Sequence, residues 1–310
     1  MATPSVSAEQ AGAVATTELI APPRRGRQRQ LAPYLLLAPT VLFLAVFFAW
    51  PMVQALILAF QDSSAVWSLA PVERMVNDLR FSESVRNTLV FAAVVIPLQT
   101  LLALAMALLL TANLRGAGAF LYLWAIPLGI SDLASGVVWL SIFTDRGYIN
   151  SMLNALGLSE SGYPFLSYEN PLSLFVCAAI AEVWRATSIV MVVLLSGLQV
   201  IPKDYGEAAE VFGASAWQRF SKVTLPLLRP SLQVALILRT ILAFQVFAVV
   251  IALAGRQLPV LAEEAYQFYY TIRSPNTAAA YALLIMALSL GFTVVYLRLL
   301  RVRDAELGRG

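Results

Sequence analysis

The chain has 310 residues, 59% of them hydrophobic and 13% charged, with a mean hydropathy of +0.75; a water-soluble globule is nearer half apolar and a quarter charged, so a soluble fold is excluded. The net charge of +3 does not mark a nucleic-acid binder, because the basic residues stand at the ends of apolar runs, where they set membrane topology. With no histidine and a single cysteine, Cys177, inside an apolar run, His-based metal sites, Ser-His triads, haem ligation and internal disulfides all drop out.

The apolar residues fall in runs of about 20, the length that crosses a hydrocarbon core. They predict an all-α polytopic membrane protein with six transmembrane helices. Residues 1–30, rich in Ala, Thr and Pro and ending in Arg24, Arg25, Arg27 and Arg29, read as a disordered basic tail. A first helix over 31–60, bent near Pro39 and Pro51, is too long for a cleaved leader and lacks a clean cleavage site. A polar loop precedes helix 85–111, which carries Pro97 and a small-residue seam at Ala103 and Ala107. After a tight turn over 113–118, helix 119–143 is expected to kink at Pro127 and Gly129. Loop 144–171 and helix 172–198 follow, then a polar segment, 199–225. Helix 226–253, an amphipathic aromatic loop (Tyr266, Phe268, Tyr269, Tyr270) and helix 278–299 complete one transmembrane domain over 31–300, before a short tail, 301–310.

An even number of spans puts both ends in one compartment. The two tails, the 113–118 turn and the segment before residue 230 carry thirteen Lys and Arg; the three loops on the other side carry six. The positive-inside rule therefore predicts that both termini and segment 199–225 are cytoplasmic.

Within that segment, Glu207 to Phe212 favours helix, Gly213 breaks it, and Ala216 to Lys222 can start a second short helix. Pro226 suits the first turn of the next helix, where its missing N–H costs little. The product is a short helix–turn–helix lying across a membrane surface. The order of residues here, with Glu207, Ala208, Ala209, Gly213, Leu225 and Pro226 spaced over twenty residues, resembles the EAA loop of ABC importer permeases. Phe212 stands where sugar-type members often have Asp. Four further stretches look like the maltose-type sugar permeases of that superfamily: Asn87-Thr88-Leu89, Ile126-Pro127, Gly147-Tyr-Ile-Asn150 and Gly197-Leu-Gln-Val-Ile-Pro202.

The resemblance implies a type I ABC importer permease fold in a bacterial or archaeal cytoplasmic membrane. It implies that the loop is a coupling helix, with Glu207 and Gly213 docking into a cleft of an ATP-hydrolysing subunit. The implied partners are a second homologous permease, two such ATPase subunits that hold ATP and Mg, an extracytoplasmic solute-binding protein and a sugar. The chain itself is expected to bind no cofactor and no metal.

Four ionisable residues fall inside the apolar runs: Asp132, Glu182, Arg185 and Arg239. A charge at the bilayer centre costs roughly 2.5–3.5 kcal/mol, so these residues should face protein or water and pair. Glu182 and Arg185 are three apart, so one reading is an intrahelical pair that only holds helices together. The other reading is a midplane cavity in which Gln99, Asp132, Glu182, Arg185, Arg239 and Gln245 meet a solute beside Trp184, Trp124 or Trp139.

No Gly-x4-Gly-Lys-Ser/Thr loop precedes either lysine, Lys203 or Lys222, so ATP hydrolysis is not expected on this chain, nor any other enzymatic activity. The expected function is the transmembrane subunit of an ATP-driven importer for a sugar or related carbohydrate. The alternatives are an importer permease for another solute, or an ion-coupled secondary transporter that uses the intramembrane acids as a proton relay.

Overall fold

The computed structural model describes residues 27–300 apart from 113 and 159–161, with side chains from residue 34 onward. The expected tails over 1–26 and 301–310 lie outside the described residues. The chain forms two units, one ending at Val53 and the other beginning at Gln54. Among the described residues every named element is helical, and the sole β contact is an isolated bridge between Gln61 and Trp67.

Helix α1, Arg27–Leu44, runs through a π-helical turn, Ala45–Ala49, into α2, Trp50–Leu58. Pro51 stands just after the π turn. A proline ring clashes with the carbonyl four residues back, here within that turn, and the wider turn moves the carbonyl aside. The same device recurs later in the chain. Helix α10, Ala216–Arg219, passes through a π turn, Phe220–Thr224, into α11, Leu225–Phe244, with Pro226 directly behind the turn. Residues Ala216–Phe244 therefore form one apolar span, rather than a short surface helix followed by a new one at 226.

The second unit is built around α4, Phe81–Thr111, and α8, Pro171–Val200. They run parallel. Phe91 meets Phe175 at one end, ring centroids 5.6 Å apart, and Ala103 and Ala107 meet Leu194 and Leu198 at the other. Both alanines are fully buried, as a small-residue seam requires when two helices approach closely in lipid. Helix α11 packs on α8 at the second end through Leu228 and on α14, Pro275–Leu299, through Phe244. Among the described residues five helices are long and apolar enough to cross a membrane, or six when one bent pair counts as a span.

That bent pair is the expected helix 119–143, which is not one helix. Helix α5, Ala117–Ala125, ends in a 3-10 turn, Ile126–Gly129; Ile130 and Ser131 are extended, and α6, Asp132–Phe143, starts afresh. The limbs Ala117–Gly129 and Asp132–Ala155 are bent by 103°. Pro127 has no N–H for the ladder, and Ser131 caps the new helix by accepting from Ala134 N–H at 3.2 Å. The expected helix 226–253 is also broken. After Phe244 the chain unwinds over residues 245–247, and α12, Ala248–Ala254, packs on α6, where Gly136 admits Ala252 and Val249. No proline or glycine marks this break; the packing of α12 on α6 imposes it.

Three loops contain helices of their own: α3 (Ala70–Val76), α7 (Tyr148–Ala155) and α13 (Leu261–Tyr270). Asparagine and threonine side chains stitch two of them down. Asn87 Nδ2 donates to Pro259 O at 3.0 Å, and Leu261 N–H donates to Thr88 Oγ1 at 3.0 Å. Asn150 donates to Thr144 O and Tyr163 O at 3.3 and 2.9 Å and accepts from Tyr163 N–H at 2.8 Å. Asn150→Ala removes all three bonds and leaves the Tyr163 N–H unpaired, while the Thr144 and Tyr163 carbonyls keep the Gly147 and Phe165 N–H groups. Its expected cost is about 1–3 kcal/mol, read as a lower thermal midpoint and faster amide exchange over residues 144–166.

Candidate solute path and coupling loop

The four intramembrane charges lie on three helices. Glu182 and Arg185 are on α8, Arg239 is on α11, and Asp132 opens α6 at the break. They form one connected chain. Arg239 Nη2 donates to Glu182 Oε1 at 2.7 Å, and its Nε donates to Gln99 Oε1. Gln99 Nε2 in turn donates to the Glu182 backbone carbonyl at 2.8 Å. Arg185 reaches Glu182 Oε1 at 3.2 Å and Asp132 Oδ1 at 2.9 Å. Exposure rises along the chain: the Arg239 and Glu182 side chains are 0% and 1% exposed, Arg185 is 17% and Asp132 is 53%. Two acids and two bases cancel, so each buried charge has an opposite partner.

Five of the seven path residues expected from sequence thus converge. The other two do not. Gln245 is exposed at the end of α11 and lines a separate recess of about 380 Å³ with Ile241, Met286, Ser289 and Thr293. The helix ends just before Gln245, at Phe244. Trp184 meets Trp139 edge-on at 5.9 Å and lines a largely apolar cavity of about 340 Å³ with Trp124, Pro127, Met106 and Leu102. Glu182, Arg239 and Gln99 are sealed off; the open end of the chain is Asp132 with Arg185. The intrahelical Glu182–Arg185 pair is present but does not stand alone, since Glu182 also holds a second arginine on another helix.

Ser135 was missed by sequence reasoning, while Trp139 was expected only as one of three aromatics beside the cavity. They follow Asp132 at i+3 and i+7, so they share its face of α6, and that spacing was the available signal. Ser135 Oγ, Trp139 Nε1, Arg185 Nε and Arg239 Nη1 are buried polar atoms without a hydrogen-bond partner.

At the α8 C-terminus the polar segment forms the first expected short helix and its turn, and the second expected helix is the start of the long span at Ala216. Helix α9, Lys203–Val211, ends at Gly213, whose φ is +78°. Gly213 N–H donates to Glu210 O at 2.8 Å and Ala214 N–H to Ala209 O at 3.0 Å, the paired bonds of a Schellman turn. Ser215 and Gln218 then form a reciprocal capping box on α10, and Arg219 pairs with Glu210 across the turn. Gly213 thus serves the backbone: open space surrounds it, and only its left-handed φ demands glycine. Glu207 and Ala208 are exposed and Ala209 is half-buried, while Leu225 and Pro226 are half-buried within the long span. Phe212 is 90% exposed at the tip, between exposed Val211 and Trp217.

Both legs of this loop are clamped. A Cβ on Gly197, one turn before the end of α8, would lie 2.2 Å from Ser231 Oγ and 2.5 Å from Ser231 Cβ on α11. The backbones there approach as closely as glycine allows.

Apolar helices of spanning length, with a neutral chain of buried charges among them, define a multi-pass membrane protein. The chain belongs to the family of binding-protein-dependent transport system inner membrane components, which matches residues 30–303. It is 34% identical to the trehalose/maltose transport system permease protein MalF of Thermococcus litoralis over 284 residues, 87% of this chain and 94% of that protein. It is 31% identical to the sulfoquinovosyl glycerol transport system permease protein SmoG of Agrobacterium fabrum, over 89% and 92% of the two chains. In fold it is similar to a bacterial ABC transporter that imports the acidic polysaccharide alginate, with a TM-score of 0.75 and 21% identity over 88% of this chain and 96% of that one. The chain is therefore an importer permease of the type I fold, a transport subunit rather than an enzyme, and it works with a solute-binding protein.

Proposed function

We propose that the chain lines half of the route by which a carbohydrate crosses the cytoplasmic membrane, a second homologous permease lining the other half. Two partner ATPase subunits hold ATP and Mg, and an extracytoplasmic binding protein delivers the sugar. Both termini and the coupling loop face the cytoplasm, in line with thirteen basic residues on that side against six on the other. The names of the relatives at 34% and 31% identity support a carbohydrate. Support also comes from Asp132 and Arg185, the accessible end of the charge chain, since such groups suit sugar hydroxyls.

The observation that carries the proposal is the build of the coupling loop. Its turn is set by Gly213 and the Ser215 cap, its legs are clamped at Gly197, and Glu207 is left exposed. A rigid loop on clamped legs transmits motion of a docked subunit to α8 and α11, and rocking of these helices opens the path alternately to each side.

Co-purification with the ATPase subunits tests the proposal. Wild type is expected to retain an ATPase through purification and to show solute-stimulated hydrolysis. Glu207→Ala and Gly213→Ala are expected to lose the ATPase or to uncouple hydrolysis from uptake. Solute uptake driven by an ion gradient, with no ATPase present, overturns the reading.

A further inference from the structure

At the end of the bundle opposite the coupling loop, α13 lies across the head of α4, held by the Asn87 and Thr88 bonds to residues 259 and 261. The first turn of α13 carries adjacent acids, Glu263 and Glu264, and both are buried, at 0% and 2% exposure. We propose that these two carboxyl groups form a proton-operated clasp, which holds α13 on the head of α4 while a proton is bound and releases it when the proton is lost to water.

The charges around the pair favour one bound proton over two full charges. One oxygen of Glu264 makes no hydrogen bond, and the Glu263 carboxyl meets only the Val260 backbone N–H. The arginines facing them are half-exposed and distant. Arg256, from the turn after α12, stands 3.5 Å from Glu263 and 3.7 Å from Glu264, and Arg80, at the head of α4, stands 4.0 Å from Glu264. Arg80 also donates to the Arg256 carbonyl at 3.0 Å, so the two arginines form part of the same seam. Further negative charge faces the pair from Asp78 and Glu83, and α14 contributes the buried Tyr281 hydroxyl, which makes no hydrogen bond. Two arginines, loosely placed, thus face four carboxylates, of which two are out of water. No cluster of three metal-ligating side chains occurs among the described residues.

Burial pushes the Glu263 carboxyl up to about 7 from an ordinary value of 4.5, and the neighbouring Glu264 adds to the rise. Burial raises Glu264 as well. The sign follows. A closed clasp holds a proton up to about pH 7, while an opened, hydrated glutamate releases it near 4.5. Between those values closure takes up a proton, so each unit of rising pH weakens it by up to about tenfold. Above pH 7 both states are ionised and the dependence levels off.

Amide exchange on the purified full chain in lipid nanodiscs tests this, with rates corrected for their intrinsic pH dependence. In wild type, protection of α13 is expected to fall by several-fold or more per pH unit from pH 5 to 7 and then to flatten. In Glu263→Gln and in the double variant Glu263→Gln/Glu264→Gln it is expected to stay high and flat. A flat wild-type profile, or an unchanged slope in the double variant, overturns the clasp. A second readout needs no variant: the infrared band of a protonated carboxyl should be present in wild type at pH 6 and lost by pH 8. A spectrum without that loss overturns the proposal even if the variants fail to fold.

Discussion

Glu182→Ala is expected to destabilise the protein by about 3–5 kcal/mol, because it leaves a fully buried guanidinium without its counter-charge. Arg239 has 0% exposure and its Nη2 sits 2.7 Å from the Glu182 carboxylate. No water replaces that partner without the helices parting. The loss spreads further, since Glu182 also holds Arg185, and Arg239 also holds Gln99, which binds back to the Glu182 carbonyl. The cost belongs to breaking the pair rather than to its net worth, so removing both charges should be far milder. Glu182→Leu with Arg239→Met, similar in volume and apolar, is expected to recover most of the lost stability. Thermal unfolding of the purified chain measures all three proteins. If Glu182→Ala unfolds normally but blocks uptake, the buried pair belongs to the solute path and not to the scaffold. At the other end of the same chain the expectation reverses. Asp132 is half-exposed, so Asp132→Asn should alter stability by no more than about 1 kcal/mol, and any large effect should fall on transport.

Gly197→Ala is expected to cost about 1–3 kcal/mol through overpacking and to weaken coupling at the same time. The new methyl would meet Ser231 Oγ at 2.2 Å and Ser231 Cβ at 2.5 Å, on the helix that carries the other leg of the coupling loop. A rotamer change moves the hydroxyl but not the Cβ, so the helices must separate. Ser231→Gly in the Gly197→Ala background removes both obstructing atoms, and stability and solute-stimulated ATPase activity should both return. Failure of that rescue would mean that the close approach is not what positions the loop.

The span count, the turn at Gly213 and the presence of paired charges inside the apolar runs were legible because each depends on residues near one another in sequence. Apolar runs of span length mark helices whatever they pack on. The Schellman turn at Gly213 and the capping box at Ser215 are local hydrogen-bond chemistry. The stretches Asn87-Thr88, Gly147 to Asn150 and Gly197 stood out in sequence without a physical role, and the structure assigns each one. Asn87, Thr88 and Asn150 stitch loops to helix ends, and a Cβ on Gly147 would meet three backbone carbonyls within 2.8 Å.

By itself the sequence determined a membrane bundle, the location of its polar loop and the need for its intramembrane charges to pair, since hydropathy, turn chemistry and the cost of a bare charge in lipid act along the chain. Only the tertiary structure decided which charges pair: Arg239 with Glu182 and Gln99 across three helices, Arg185 with Asp132 at a helix break, and Gln245 with none of them. It also decided that the spans at 119–143 and 226–253 are broken, the second without any proline or glycine to announce it. The physical reason is the same in both cases. A partner on another helix, or a break imposed by a neighbouring helix, depends on how helices are rotated and packed, and that depends on residues far apart in the sequence.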